Sequence, residues 1–220
     1  MKRRRILLEM ELQRDLFAPG GSCYRKDSST VAQNIYDLVR WAMDDAIPVI
    51  STLLRVPFGR RGPLSDVPHC VDGTPGEHQL VRTLLPGRIN LGLRNSTDLP
   101  PRLLSKYNQI IFEKRNTDIF AHARIERLIT EQIGQGVFVV CGAGVAQGIF
   151  QAAIGLRSRG FYVICPIDGI LRLGHPREEE ALDRMAAKGV VFVPTARILA
   201  TGPAHRIVPI RARLPIRSTA

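Results

Sequence analysis

A chain of 220 residues, 45% hydrophobic and 23% charged, has the composition of one globular domain with a sizeable core. No apolar run approaches the roughly 20 residues that span a bilayer, and Glu9 and Glu11 interrupt the leader-like start Met1–Leu8, so a cytoplasmic protein without a membrane partner is expected. Of the net charge of +11, four units sit at Lys2–Arg5 and four at Arg206, Arg211, Arg213 and Arg217, which leaves three for residues 6–200 and makes the basicity a property of the tails, 1–5 and about 201–220.

Arg5–Ile6–Leu7–Leu8–Glu9–Met10–Glu11 reads as a first strand whose end turns polar, followed by a loop through Pro19–Gly20–Gly21. Ser29 or Thr30 caps a helix to about Ala46, with Val31, Ile35, Leu38, Val39 and Ala42 at helical spacing. Ile47–Leu53 is a second strand, with Pro48 near its start where a strand tolerates one. A glycine- and proline-rich stretch from about Pro57 to Pro101 follows, and loops of that length are usually functional or disordered. Leu103–Tyr107 is a short helical turn, Gln109–Lys114 a third strand and Ala121–Ile133 a helix.

The stretch Gly136–Gly160 combines a buried strand, Val137–Val140, the small-residue turn Cys141–Gly144 and a helix ending at Gly160. Such turns present unpaired helix N–H groups to a ligand or hold a nucleophile. Phe161–Pro166 is strand five, ending at Asp168; Glu178–Lys188 is a helix whose acidic first turn suits the helix dipole; Val190–Pro194 is strand six. Strands alternating with helices predict a three-layer α/β/α domain with a six-stranded, mostly parallel sheet, and ligands in that architecture bind beyond the C-terminal strand ends. Those ends are Glu11, Leu53, Lys114, Gly142 and Asp168.

Four segments in order carry a resemblance. Met10–Phe17 is similar to the opening hydrophobic–Asp–Met–Gln–x–Asp–Phe of the isochorismatase-like cysteine hydrolases, the superfamily of nicotinamidases, N-carbamoyl-type amidases and isochorismatases. His69–Gly76 resembles the nicotinamidase-type His–Cys–x–x–Gly–Thr–x–Gly, Glu113–Phe120 the lysine segment, and Gly142–Ala152 the nucleophile turn Gly–x–x–Thr–x–x–Cys–Val. The resemblance spans residues 5 to about 200 and implies the isochorismatase-like hydrolase fold over a single domain, 1–220. In that family an aspartate, a lysine and a cysteine act together, the thiolate attacking an amide carbonyl.

Carried over residue by residue, the aspartate position is Glu11, the lysine is Lys114 and the cysteine position is Gly148, with Val145 in place of the motif threonine. A glycine supplies no nucleophile, so the covalent route is closed. Cys141 stands at the strand end without the helix N-terminus that would lower its pKa, and is not expected to substitute. The Asp–x–His metal motif that nicotinamidases carry after strand two is replaced by Leu53–Leu54–Arg55–Val56–Pro57, and His69 alone cannot hold an ion, so no metal and no cofactor are expected.

The resemblance further implies a pocket walled by Phe17, an anion site at the Gly144 and Gly148 N–H groups, and a cis peptide at Ala143–Gly144. The expected protein is thus a pseudoenzyme with a small-molecule ligand, or alternatively a thiol-independent hydrolase acting on an enol ether with Glu11 as acid. A structural subunit working through its basic tails is the remaining reading. A homo-oligomer, dimer or tetramer, is the expected assembly. Nucleic acid is not an expected partner, because no aromatic–basic interleaving accompanies the tail arginines. Without the resemblance, Glu11 and Lys114 are ordinary strand-end charges, and Gly148, Ala152 and Gly155 would simply let a helix lie close to the sheet.

Overall fold

The computed structural model describes residues 4–200, and within them the predicted strands line up in one sheet with every pairing parallel. The strands are β1 (Arg4–Met10), β2 (Val49–Leu54), β3 (Arg88–Asn90), β4 (Gln109–Lys114), β5 (Gly136–Ala143), β6 (Tyr162–Pro166), β7 (Ile170–Leu171) and β8 (Val191–Val193). Their order is β3-β4-β2-β1-β5-β6-β8, with β7 paired to β5. From β1 the chain first builds outward through β2 and then returns to β5 on the other side, so a topological switch point lies between β1 and β5.

The helices are α1 (Arg14–Phe17), α2 (Ser28–Asp44), α3 (Leu103–Lys106), α4 (Ala123–Arg127), α5 (Phe150–Ser158), α6 (Glu178–Ala187) and α7 (Thr195–Leu199). Burial explains their placement. Val31, Ile35, Leu38 and Val39 of α2 and Ile198 of α7 join Leu7, Val49 and Val139 in one core layer. On the other face Ile125 of α4, Ala152 and Leu156 of α5, and Leu182 and Met185 of α6 pack on Ile6, Leu8, Phe112 and Phe138. All six residues of β2 are buried, as a parallel strand covered on both faces should be. No helix among the described residues is long and apolar enough to cross a membrane.

Several expectations change. The sheet has eight strands rather than six, because the three-residue β3 and two-residue β7 form only by pairing with β4 and β5 and carry no periodicity of their own. The helix expected over 121–133 divides into a 3-10 turn at Ile119–Ala121, α4, and a wider π-type turn at Leu128–Gln132. Arg4, assigned to a tail, opens β1 one residue ahead of the expected start at Arg5, and its guanidinium donates to the Leu104 carbonyl at 3.0 Å. The basic segment 201–220 lies outside the described residues. None of the described peptide bonds is cis, so the Ala143–Gly144 bond is trans. The chain turns there with positive φ at glycine instead, +126° at Gly142 and +82° at Gly144. At Gly142 a β-carbon would stand 2.0 Å from the Met10 carbonyl oxygen, so only glycine lets β5 close on β1 at that point.

Candidate functional site

Four neighbouring strands deliver the site. Glu11 follows the last residue of β1, Thr52 lies in β2, Lys114 ends β4, and Gly148 lies in the π-type turn Val145–Ile149 that follows β5. Register fixes their meeting, since Met10 pairs with Thr52 and Gly142, while Leu54 pairs with Lys114. The Lys114 ammonium reaches Glu11 Oε1 at 2.6 Å, and the two side chains are 2% and 0% exposed. Thr52 Oγ1 donates to the same carboxylate oxygen at 2.8 Å.

Glu11 itself has φ +52°, a left-handed conformation unusual for a non-glycine residue. Its backbone is held by its N–H to Thr52 O at 3.0 Å and by Gln13 N–H to its own carbonyl at 2.8 Å. Gln13 then behaves as a substitute strand residue. Its amide nitrogen donates to Leu54 O and Glu77 O, and its Oε1 accepts the Leu54 N–H, each at 2.8 Å. An ammonium has three donors. Those of Lys114 are matched by Glu11 Oε1, Asn116 O at 2.9 Å and Thr117 O at 3.2 Å.

Gly148, which the resemblance aligns with the family's cysteine, faces this pair. A β-carbon on Gly148 would lie 2.8 Å from Glu11 Oε2, 3.3 Å from Met10 Cε and 3.6 Å from Thr117 O. That Oε2 is buried and has no hydrogen-bond partner. The longer glutamate side chain therefore occupies space that a side chain at 148 would need. A glutamate at 11 and a glycine at 148 are thus sterically complementary. Gly155 has a different cause, because a β-carbon there would strike Phe120 at 2.2 Å.

The other expected site residues fare unequally. The Gly144 N–H is already donated to Leu171 O at 3.2 Å, which removes it from an anion site. A β-carbon on Gly144 would lie 2.9 Å from Leu64 Cδ2, so Leu64 of the 57–101 stretch packs against the turn. Phe17 is 3% exposed and belongs to the core layer that contains Leu64, Cys70 and Leu80. His69 is buried, with Nδ1 2.8 Å from Val67 O and Nε2 accepting the Leu64 N–H at 3.3 Å, which accounts for it as a loop-shaping residue. Cys141 is fully buried, and burial pushes its thiol well above the ordinary value.

Thr52 went unrecognised in the sequence, and Cys70 entered it only as part of the His69–Gly76 motif. Thr52 sits just short of a strand end already named as ligand-facing, which is the signal that could have found it. Cys70 is fully buried at φ +51°, its N–H bonded to Asp15 Oδ2 at 2.7 Å. Burial first, then the charges of Asp15 and Glu11, push its thiol up, so it is no replacement nucleophile. Among the described residues no group of three or more His, Cys, Asp or Glu is arranged to hold a metal.

No protein-family model matches the sequence, and no curated protein matches it. Solved structures do. Nicotinamidase/pyrazinamidase from Bacillus subtilis superposes with a TM-score of 0.65 at 17% identity, over 86% of this chain and 99% of that one. Pyrazinamidase from Pyrococcus horikoshii in complex with zinc gives 0.65 at 20% identity, over 87% and 99%. An isochorismatase-like hydrolase from Alkaliphilus metalliredigens gives 0.65 at 15% identity, over 90% and 98%. A parallel sheet in this order, with its carboxylate, lysine and glycine turn gathered at one end, gives the chain the isochorismatase-like hydrolase fold.

Proposed function

We propose that this chain is a member of the isochorismatase-like hydrolases that has lost cysteine-dependent amidase chemistry and works as a small-molecule-binding pseudoenzyme. The observation that carries this reading is the 2.8 Å approach of Glu11 Oε2 to the β-carbon position of Gly148. Where the family holds a thiol, this chain holds the end of its own carboxylate. A mere loss of cysteine would leave the remaining pair unchanged, whereas here the base position has changed with it.

The polar balance specifies the ligand. The donors of Lys114 and of the Gly144 amide are engaged inside the protein, and the unpaired group is an acceptor, Glu11 Oε2. A ligand bearing an amide or amine N–H satisfies that oxygen; an anion does not. Glu11 and Lys114 are almost wholly enclosed, so such a ligand reaches Oε2 only when the residues around the pair open.

Two measurements on the purified protein test the proposal. No turnover of nicotinamide, an N-carbamoyl amide or isochorismate is expected, and Glu11→Asp/Gly148→Cys is expected to gain thiol alkylation and slow amide hydrolysis. Isochorismate hydrolysis by the natural chain that disappears in Glu11→Gln would instead establish the thiol-independent enol-ether hydrolase, the reading favoured if the unpaired Oε2 carries a proton to the substrate.

A further inference from the structure

Arg4 opens β1 and Glu11 follows its end, so the seven residues of the strand hold the two about 20 Å apart. At Arg4, where the strands of the sheet begin, lies a cavity of about 300 Å³ lined by Arg4, Arg102, Leu104, Ser105 and Gln132. Three elements supply these residues: the start of β1, the turn into α3, and the last position of the π-type turn Leu128–Gln132. That volume is at the small end of the range for small-molecule sites.

The lining is held in place by bonds of its own. Gln132 clamps the turn into α3, its Oε1 accepting the Leu103 N–H at 3.2 Å and its Nε2 donating to Pro100 O at 3.1 Å. Arg102 has φ +58°, and its carbonyl accepts both the Ser105 N–H at 3.1 Å and Ser105 Oγ at 3.0 Å. Arg4 Nη2 donates to Leu104 O at 3.0 Å, which fixes one edge of its guanidinium and leaves its other donors. Leu104, 7% exposed, is the apolar part of the lining.

The charge at this cavity is of one sign. None of the five lining residues is acidic. The acids nearest to them in sequence are engaged by other arginines: Arg127 reaches Glu131 at 2.7 Å, and Arg124 and Arg94 reach Asp98 at 2.9 and 3.6 Å. Among the described residues neither Arg4 nor Arg102 pairs with a carboxylate, and Lys2 and Arg3 adjoin Arg4 in the sequence. With Gln132 Oε1 given to Leu103, the groups left to a ligand are chiefly donors.

We propose that this cavity binds a small ligand through a diphosphate or longer phosphate chain. A planar guanidinium takes two phosphate oxygens at once. Two guanidiniums from separate elements suit linked phosphates, whereas a single carboxylate satisfies only one of them. This ligand is distinct from the N–H-bearing one proposed for Glu11, a strand length away.

Inorganic pyrophosphate and tripolyphosphate are the probes, titrated into the full chain by calorimetry at low salt. Saturable binding of one equivalent is expected. Arg102→Gln, which removes an exposed charge, should weaken it about tenfold at unchanged Tm, the loss of one charge-assisted contact. Arg4→Gln should weaken it similarly and also lower Tm through the lost bond to Leu104; if that variant fails to fold, Arg102→Gln still decides. The exposed Arg60 and Arg61 are the control, and Arg60→Gln/Arg61→Gln should bind as the natural chain does. An equal loss in that control, or binding that never saturates, means that the net charge of +11 attracts the anion and overturns the proposal. A short oligouridylate separates the sources of phosphate. If it binds through Arg102 while pyrophosphate does not bind, the cavity is a nucleic-acid contact and the small-ligand reading falls. None of these readouts involves Glu11, so they stand or fall independently of ligand binding there.

Discussion

Glu11 and Gly148 share one volume: the carboxylate oxygen Oε2 of the first lies 2.8 Å from where the second would begin a side chain. This predicts a reversal of the usual helix-propensity effect. Glycine to alanine in a helical segment normally stabilises by about 1 kcal/mol. Gly148→Ala should instead destabilise by about 1–3 kcal/mol, since the other oxygen of that carboxylate, Oε1, is bonded to Lys114 and Thr52 and the group cannot retreat freely. Glu11→Asp in the same chain should recover part of the loss, with a coupling of about 0.5–3 kcal/mol between the two changes. Urea denaturation of the two single variants and the double variant measures this, and strict additivity would show that the residues do not compete for space.

The Glu11–Lys114 pair makes a second asymmetric prediction. Lys114→Met leaves a carboxylate in the interior with only Thr52 as a partner, and breaking a buried pair from one side costs about 3–5 kcal/mol. Removing the charge from both, as in Glu11→Gln/Lys114→Met, should cost clearly less than Lys114→Met alone. Equal losses in denaturant titrations would mean that the charge of Glu11 is not what matters.

These relationships show what the sequence could disclose. The apolar runs at Ile6–Leu8, Ile110–Phe112 and Val137–Val140 mark strands because a covered parallel sheet demands continuous hydrophobicity. The resemblance of the glycine turn to the family motif is what singles out position 148. What it cannot disclose is why a glycine is tolerated there, because Glu11 lies far away in sequence and its left-handed backbone is a tertiary outcome. Arg55 is similar: its ion pairs reach Asp72, Glu77 and Glu113, which lie in separate segments of the sequence and meet only in the fold. The expected cis peptide rested on resemblance, and two glycines with positive φ make the turn without it.

Thiol chemistry supplies a third prediction. Cys23, Cys70, Cys141 and Cys165 are all buried and free. Burial pushes the Cys165 thiol up to about 12, and it raises the other three as well. The folded protein should therefore react with iodoacetamide at pH 8 at least tenfold more slowly than the denatured chain. One rapidly labelled cysteine, identified by mass spectrometry, would reveal a reactive thiol and reopen the covalent route.

The last prediction concerns Glu9, two residues before the site and fully buried in the middle strand. Its Oε2 accepts Ser51 Oγ at 2.5 Å and Gln109 Nε2 at 3.3 Å, while Oε1 has no partner. Burial dominates these bonds and pushes its carboxyl up to about 8 from 4.5, so the folded protein keeps a proton there that the unfolded chain gives up. The sign follows from proton counting: between those two values the folded state binds more protons, and stability falls as pH rises. The full penalty, reached above about pH 8, is on the order of 5 kcal/mol. Glu9→Gln, isosteric with the protonated acid, should match the natural chain near pH 4 and exceed it increasingly toward pH 8. Parallel stability profiles for the two proteins across that range would mean that Glu9 is ionised in the folded core.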